Sequence, residues 1–208
     1  MFYNFKLTGN NLNNWKLNLN KFQTEIQNIN PKLLINWPEK NLYKKLMEWK
    51  IIPICYTMPS NDIKYQIWIN SVERFIPNIY NFIKSLKNVR TALISKMGKN
   101  VLLKKHRGWA DVANHVLRCH LPIIIEENKS GIIVSDIKKY HKLGDAILFD
   151  DSLLHTGYNE SDKDRYILII DFVRPKNVPK GVSNIKSSEE LLKLVGFYKI
   201  INNLYKSL

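Results

Sequence analysis

Two histidines in the second half of the chain follow short apolar runs and carry a side chain suited to metal binding. His106 comes after the run 101–103, and His155 comes after the run 144–149. Imidazole nitrogens bind divalent first-row metals, and two of them on one side of an ion leave other positions open. A histidine at a strand end is more often an ordinary surface or core residue, so spacing alone leaves both interpretations open.

An arginine stands where the most apolar run of the chain begins. Arg165 lies ten positions after His155 and directly before residues 166–170, which are all aromatic or aliphatic. At the floor of a pocket, a guanidinium can clamp a carboxylate with two parallel charge-assisted hydrogen bonds. At the surface it would instead pair with Asp162 or Asp164, and exposed ion pairs of this kind are common. The local sequence does not decide between these positions.

Six short runs rich in Ile, Val and Leu surround these residues and are separated by turn residues. Several short strands at this spacing are typical of a β-sandwich or barrel, and not of alternating strands and helices. The candidate residues then lie at or near strand ends, where a rigid scaffold often carries function. The runs cover residues 91–95, 101–103, 119–125, 131–135, 144–149 and 166–173.

The segment before these runs is predicted to be mainly helical or irregular. Residues 1–90 are rich in Asn and Lys, and one short strand is predicted at 49–55. Apolar residues at helical spacing predict helix over 65–86, and Pro77 should break it into two helices or kink one.

The segment after the runs is predicted to end in a helix. Residues 187–190, Ser-Ser-Glu-Glu, have the spacing of a capping box and precede an amphipathic stretch at 191–208. We expect one compact domain in which a lead (1–90) packs on a β core (91–176) followed by a helical tail (177–208).

The composition is that of a globular protein with a strong positive charge. The 32 Lys and Arg against 18 Asp and Glu give a net charge of +14. This charge would attract nucleic acid or acidic substrates, although a genome rich in A/T codons would also produce it. No apolar run is long enough to span a bilayer, and no secretory signal is recognisable. With two cysteines only, Cys55 and Cys119, we expect a cytoplasmic, reducing location.

Several blocks, taken together and in order, resemble the aspartyl/asparaginyl β-hydroxylase family of iron(II)- and 2-oxoglutarate-dependent oxygenases. The resemblance covers roughly residues 49–176, and its most specific part is Phe-Asp-Asp-Ser-x-x-His followed by Arg165. It implies an α+β protein with a double-stranded β-helix core (jelly roll, cupin-like) and flanking helices at both ends. The blocks are His106-Arg-Gly, Leu117-Arg-Cys-His-Leu, Gly144-Asp-Ala-Ile-Leu-Phe-Asp-Asp-Ser, His155, Arg165-Tyr-Ile-Leu-Ile-Ile-Asp and Arg174-Pro.

The resemblance implies roles for most of the candidate residues. His106 and His155 correspond to the two iron ligands, and Arg165 corresponds to the residue that binds the distal carboxylate of 2-oxoglutarate. Ser95, eleven residues before His106, corresponds to a serine that assists with that carboxylate.

A further pair corresponds to residues that contact the end of 2-oxoglutarate near the metal. These are Arg118 and His120, and their spacing of two places both on one face of a strand. We therefore expect His120 to contact the co-substrate and not to act as a third metal ligand.

One position departs from the general oxygenase pattern. Most such enzymes have a carboxylate two residues after the first histidine, where this chain has Gly108, and the family shares this absence. Water would fill the vacant ligand position, and Asp151 could hydrogen-bond it. Alternatively, Asp150 and Asp151 make only turn or capping bonds.

The resemblance predicts a dioxygenase that uses Fe(II), 2-oxoglutarate and O2 to hydroxylate an unactivated carbon. An Asp or Asn side chain in a peptide or protein is the first expected substrate, and a lipid or a free amino acid is possible. Two alternatives stay open: a basic nucleic-acid-binding module, or a non-catalytic interaction protein on the same fold.

Overall fold

The computed structural model describes residues 1–43, 48–57, 62–186 and 188–208. Ser187, the first residue of the predicted capping box, lies outside these ranges. Within them, twelve strands form two antiparallel sheets. Their bounds are β1 Phe2–Tyr3, β2 Ile35–Asn36, β3 Trp49–Thr57, β4 Gln66–Trp68, β5 Val89–Met97, β6 Val101–Leu102, β7 Val116–Ile124, β8 Ser130–Val134, β9 Ile137–Tyr140, β10 Ile147–Phe149, β11 His155–Asn159 and β12 Arg165–Val173.

The two sheets differ in size and enclose a cavity between them. The larger has the order β1-β10-β7-β12-β5-β3-β2 with β4 beside β3, and the smaller has the order β6-β11-β8-β9. Residues of both sheets, among them Ile169 of β12 and Ile132 of β8, line the same cavity. With the helices at either end, this arrangement confirms the predicted α+β jelly roll.

Two of the helices pack together against the larger sheet. The helices are α1 Asn13–Gln27, α2 Pro77–Ser85, α3 Ala110–Ala113 and α4 Ser188–Ser207. Trp15 and Phe22 of α1 pack with Phe82 of α2, with ring centroids 5.1 to 5.6 Å apart. The side-chain amide of Gln23 donates a hydrogen bond to the carbonyl of Ile123 on β7. The central strands are therefore buried on both faces, which explains their near-continuous apolar runs.

The lead differs from the sequence prediction in its helix over 65–86 and in the short strands β1, β2 and β4, which were not predicted. The helix predicted over 65–86 begins only at Pro77, while β4 and a short 3-10 turn at Asn70–Val72 precede it. The fixed φ of proline and its missing N–H suit the first position of a helix, so Pro77 starts α2 and does not interrupt a longer one.

The lead also supplies part of the main sheet. The strand predicted at 49–55 is confirmed as β3, which pairs with β5 and shifts register between Pro53 and Cys55. Such a shift is expected where proline lacks the N–H for the ladder. The division at residue 90 stays a prediction, but β5 (Val89–Met97) crosses it and pairs with β3 of the lead.

The predicted C-terminal helix is confirmed as α4, which packs on the lead. Tyr198 stacks on Tyr56 with ring centroids 4.3 Å apart, and the Tyr205 hydroxyl donates to the carbonyl of Leu33. Among the helices described, none combines the length and the apolar character needed to cross a membrane.

Candidate metal and co-substrate site

The two candidate metal-binding histidines are held together by their own backbones. The amide of His106 donates to the carbonyl of His155 at 2.9 Å, and the amide of His155 donates back at 2.8 Å. The pair forms an isolated antiparallel bridge, and the ring centroids lie 4.3 Å apart. Two residues far apart in sequence are thus placed side by side by backbone geometry.

Both rings are oriented by a second hydrogen bond. Nδ1 of His106 lies 2.9 Å from the carbonyl oxygen of Lys104, and Nδ1 of His155 lies 2.8 Å from that of Leu153. A carbonyl only accepts, so each Nδ1 carries the proton and each Nε2 keeps a free lone pair. Burial lowers the pKa of both rings, that of His155 well below its usual value. Both imidazoles are therefore in the neutral form that binds metal.

A carboxylate lies beside the pair, although the position two after His106 is glycine. Asp151, in the turn between β10 and β11, places Oδ1 3.4 Å from Nε2 of His155. A Cβ on Gly108 would collide with Oδ2 of Asp151 and lie 2.8 Å from Cβ of Ala113. The space that a side chain at residue 108 would need is thus filled by Asp151.

The neighbouring aspartate has a different surrounding. Asp150 accepts from the amide of Ser152 at 3.0 Å and forms a paired contact with Arg174. The alternative in which the aspartates make only turn or capping bonds therefore applies to Asp150. Asp151 instead lies beside His155. No group of three or more His, Cys, Asp or Glu side chains that could hold a metal is found in the described ranges.

Arg165 is buried and lacks an internal partner at two of its nitrogens. It is 2% exposed, and its Nε and Nη1 make no hydrogen bond within the described structure. The alternative of a surface ion pair is wrong, because Asp164 pairs with Lys96 at 2.6 Å and Asp162 accepts from Asn100 at 3.0 Å.

This unpaired guanidinium has a clear electrostatic consequence. Burial lowers the pKa of Arg165 to about 9, which leaves it charged at neutral pH. An isolated buried charge is costly unless an ion of opposite sign pairs with it. The unbonded nitrogens therefore fit an anionic ligand such as a carboxylate.

Ser95 lies next to Arg165 on the adjacent strand. Ile167 is directly opposite Ser95, and Arg165 is two residues before it, so both side chains are on one face. The fully buried Oγ of Ser95 accepts from Nε1 of Trp49 at 3.0 Å. This contact uses Oγ as an acceptor, so the hydroxyl proton can be donated to a group in the cavity that Ser95 and Arg165 both line.

Arg118 and His120 both face the cavity, as their alternation predicts, but each has a protein partner. Arg118 forms a two-pronged contact with Asp171, its cross-strand neighbour, at 2.7 and 2.9 Å. Its remaining nitrogen contacts Asp151 Oδ1 at 2.6 Å. Nδ1 of His120 lies 3.2 Å from Nε2 of His141. The contact of Arg118 with a co-substrate stays a prediction, and its visible contacts hold Asp151 in place.

One cavity of about 350 Å³, counted to its open mouth, collects six of the seven predicted site residues. The seventh, Asp151, lines an adjoining cavity of about 610 Å³. Trp49, His106 and Arg118 border both. The six residues are Ser95, His106, Arg118, His120, His155 and Arg165.

Sequence reasoning missed several residues of this region. Trp37, Trp109 and Tyr198 line the adjoining cavity, and His141 contacts His120. None lies in the blocks that carry the family resemblance, and the signal that remains is residue type alone. The chain has five tryptophans and five histidines, few enough that each one is a candidate site residue by its type.

Comparison with known proteins supports the resemblance. A family model described as aspartyl/asparaginyl beta-hydroxylase matches residues 16–175. The ornithine lipid ester-linked acyl 2-hydroxylase of Rhizobium tropici is 34% identical over 110 residues, which is 52% of this chain and 38% of that relative. The match therefore spans well under two thirds of the relative's length.

Solved structures with a similar shape were also found. An oxidoreductase of the 2OG-Fe(II) oxygenase family from Burkholderia pseudomallei matches with a TM-score of 0.48 and 10% identity, over 81% of each chain. A predicted oxalate decarboxylase from Thermotoga maritima matches with a TM-score of 0.41 and 9% identity, over 70% of this chain and 98% of that one. Since the family model covers more than half of the sequence, this chain belongs to the aspartyl/asparaginyl β-hydroxylase family.

Proposed function

We propose that the protein is an iron(II)- and 2-oxoglutarate-dependent hydroxylase. The observation that carries the proposal is the coincidence of two features in one cavity. One is the pair of neutral imidazoles, His106 and His155, whose Nε2 atoms are free. The other is the buried guanidinium of Arg165 with two unbonded nitrogens. A divalent metal fits the first feature and a dicarboxylate fits the second.

The residues present would divide the work as follows. His106 and His155 would hold iron(II), and Asp151 beside His155 would orient a ligand water at the metal. Arg165 and the Ser95 hydroxyl would bind the distal carboxylate of 2-oxoglutarate, and His120 would contact its other end. With O2, the bound metal and 2-oxoglutarate supply the oxidising power for converting a C–H bond to C–OH, with succinate and CO2 as co-products.

The adjoining cavity is the proposed position of the substrate. It borders the histidine pair at His106, and its lining combines apolar Leu93, Trp109 and Val112 with charged residues such as Arg107 and Asp171. An Asp or Asn side chain of a peptide is the substrate that the family description suggests. The apolar lining favours a second candidate, an acyl chain, and the Rhizobium tropici relative is named as an acyl hydroxylase of an ornithine lipid.

A turnover assay tests the reaction. Purified protein with iron(II), 2-oxoglutarate and O2 should release succinate, and His155→Ala should abolish this release because the metal is lost. Arg165→Ala should chiefly raise the KM for 2-oxoglutarate. His115→Ala, a histidine that lines neither cavity, is the matched control. Equal succinate release by all four proteins would refute the proposal.

The substrate is tested in the same assay. An Asp- or Asn-containing peptide and an ornithine lipid in mixed micelles are offered separately, and mass spectrometry looks for a product heavier by one oxygen atom. Nucleic-acid binding and a non-catalytic role stay predictions: the first requires salt-dependent binding without metal, and the second requires that no succinate forms under any condition.

A further inference from the structure

A row of three buried polar side chains runs from the smaller sheet to the cavity. Ser130 on β8 and His141, directly after β9, come from the smaller sheet, and His120 comes from β7 of the larger one. Ser130 Oγ lies 3.2 Å from Nδ1 of His141, and Nε2 of His141 lies 3.2 Å from Nδ1 of His120. All three are at most 4% exposed, and only His120 lines the cavity.

The row can carry its protons in one of two directions. In the first, Ser130 donates to His141, His141 donates to His120, and His120 keeps its own proton on Nε2. In the second, His120 donates through Nδ1 to His141, which donates to Ser130. The hydroxyl proton of Ser130 would then need another acceptor, and the described structure shows none.

The need of the buried Ser130 hydroxyl for a hydrogen-bond acceptor favours the first direction. A buried hydroxyl proton without an acceptor costs about 1–3 kcal/mol. In the first direction the two protons between the three groups have acceptors. The third, on Nε2 of His120, belongs to the ring that lines the cavity, where water or a ligand can accept it. Burial and the nearby positive charge of Arg165 lower the pKa of His141, and burial and His141 lower that of His120. Both rings are thus neutral, as the row requires.

We propose that His141 is a positioning residue, which with Ser130 holds His120 in the tautomer that donates from Nε2 to a carboxylate in the cavity. This inference rests on the proposed function, because the carboxylate is that of 2-oxoglutarate. The cavity already holds Arg165, so a donor at His120 adds to its preference for an anion. A lone pair at the same atom would repel that anion.

The tautomer of His120 can be measured directly. Histidine labelled with nitrogen-15 is incorporated into the protein loaded with zinc, a diamagnetic substitute for iron(II). The chain has five histidines, so the ring signals can be assigned through single variants. The wild-type protein should show the proton of His120 on Nε2. A proton on Nδ1 would overturn the proposal, and this readout is independent of whether 2-oxoglutarate binds.

Two similar substitutions separate positioning from packing. In His141→Gln, the amide nitrogen can replace Nε2 and still donate to His120. In His141→Asn, the shorter amide reaches Ser130 but not His120. We expect 2-oxoglutarate affinity, measured by calorimetry without O2, to fall about tenfold in His141→Asn and to stay within about twofold of wild type in His141→Gln.

The remaining outcomes have distinct meanings. Equal affinity in the Asn and Gln variants, with both folded by circular dichroism, would reduce His141 to a packing residue and refute the proposal. Absence of 2-oxoglutarate binding in the wild type would instead refute the proposed function, while the NMR result would still decide the orientation of the row.

Discussion

The two ends of β12 carry buried arginines whose surroundings differ. Arg174, just after the strand, uses both terminal nitrogens: they contact Asp150 at 2.9 and 2.5 Å and the carbonyls of Pro179 and Ala113 at 3.0 and 3.1 Å. Its Nε alone makes no hydrogen bond within the described structure. Arg165, at the start of the strand, leaves Nε and Nη1 without a partner. Both residues are at most 9% exposed.

The difference separates a structural charge from a charge kept for a ligand. A buried guanidinium surrounded by acceptors ties segments of the chain together, and its loss leaves those acceptors unpaired. An unsatisfied guanidinium destabilises the free protein and gains its partner only when an anion binds. The end of β12 near Arg174 is packed closed, and the end near Arg165 opens into the cavity.

The largest expected effect is on stability at the closed end. Arg174→Leu leaves the carboxylate of Asp150 buried without its cation, and we expect the free energy of unfolding to fall by about 3–5 kcal/mol. Urea unfolding followed by circular dichroism measures this loss. Lys64→Leu, which removes an exposed ion pair with Asp62 at 3.2 Å, should change it by less than about 1 kcal/mol. Similar losses in both variants would contradict the comparison.

The second effect is on ligand binding at the open end. Arg165→Met replaces the unpaired charge with an apolar chain of similar length, so the unfolding free energy of the ligand-free protein should not fall. The affinity for 2-oxoglutarate should drop by about 2–5 kcal/mol, because the carboxylate loses its charged partner. Thermal unfolding with and without 2-oxoglutarate tests both statements: the ligand should raise Tm in the wild type only. A Tm rise of equal size in Arg165→Met would remove Arg165 from the site.

A third effect concerns the space beside the histidine pair. Gly108→Ala places a methyl group against Asp151 and Ala113, and we expect a loss of about 1–3 kcal/mol in unfolding free energy. Gly196→Ala is the control, because a Cβ added at Gly196 would have no atom within 4 Å. Alanine favours a helix over glycine by about 1 kcal/mol, so this variant should not lose stability. If Gly108→Ala proved as stable as wild type, the close packing of Asp151 on Gly108 would be wrong.

The sequence was sufficient where a residue's role follows from its own strand. Alternation placed Arg118 and His120 on one face, and the turn-bounded apolar runs predicted the strands that carry Ser95 and Arg165. The jelly roll and the common cavity of His106 and Arg165 were expected from residues in recognisable blocks, and Ser95 from its place eleven residues before His106.

The sequence was insufficient where a role depends on register between distant strands. Asp171 lies 53 positions from Arg118, and only the pairing of β12 with β7 places them opposite each other. In the same way, the pairing of β5 with β12 places Lys96 beside Asp164. The two form an ion pair, so Asp164 is not the partner of Arg165. His141 contacts His120 across the gap between two sheets, and no local pattern encodes that distance.

The smallest expected effect concerns the uncharged hydroxyl of Ser95, which lies beside Arg165 at the open end of β12. Ser95→Ala removes one uncharged hydroxyl beside Arg165 and leaves Nε1 of Trp49 without its acceptor at 3.0 Å. We expect 2-oxoglutarate affinity to weaken by about 1 kcal/mol, roughly fivefold, which is the usual contribution of one neutral hydrogen bond. Ser95→Thr keeps the hydroxyl and serves as the matched control, although its extra methyl must fit a fully buried position. If Ser95→Ala weakened binding as much as Arg165→Met, the site would depend on shape more than on charge, and the contrast between the two ends of β12 would lose its electrostatic basis.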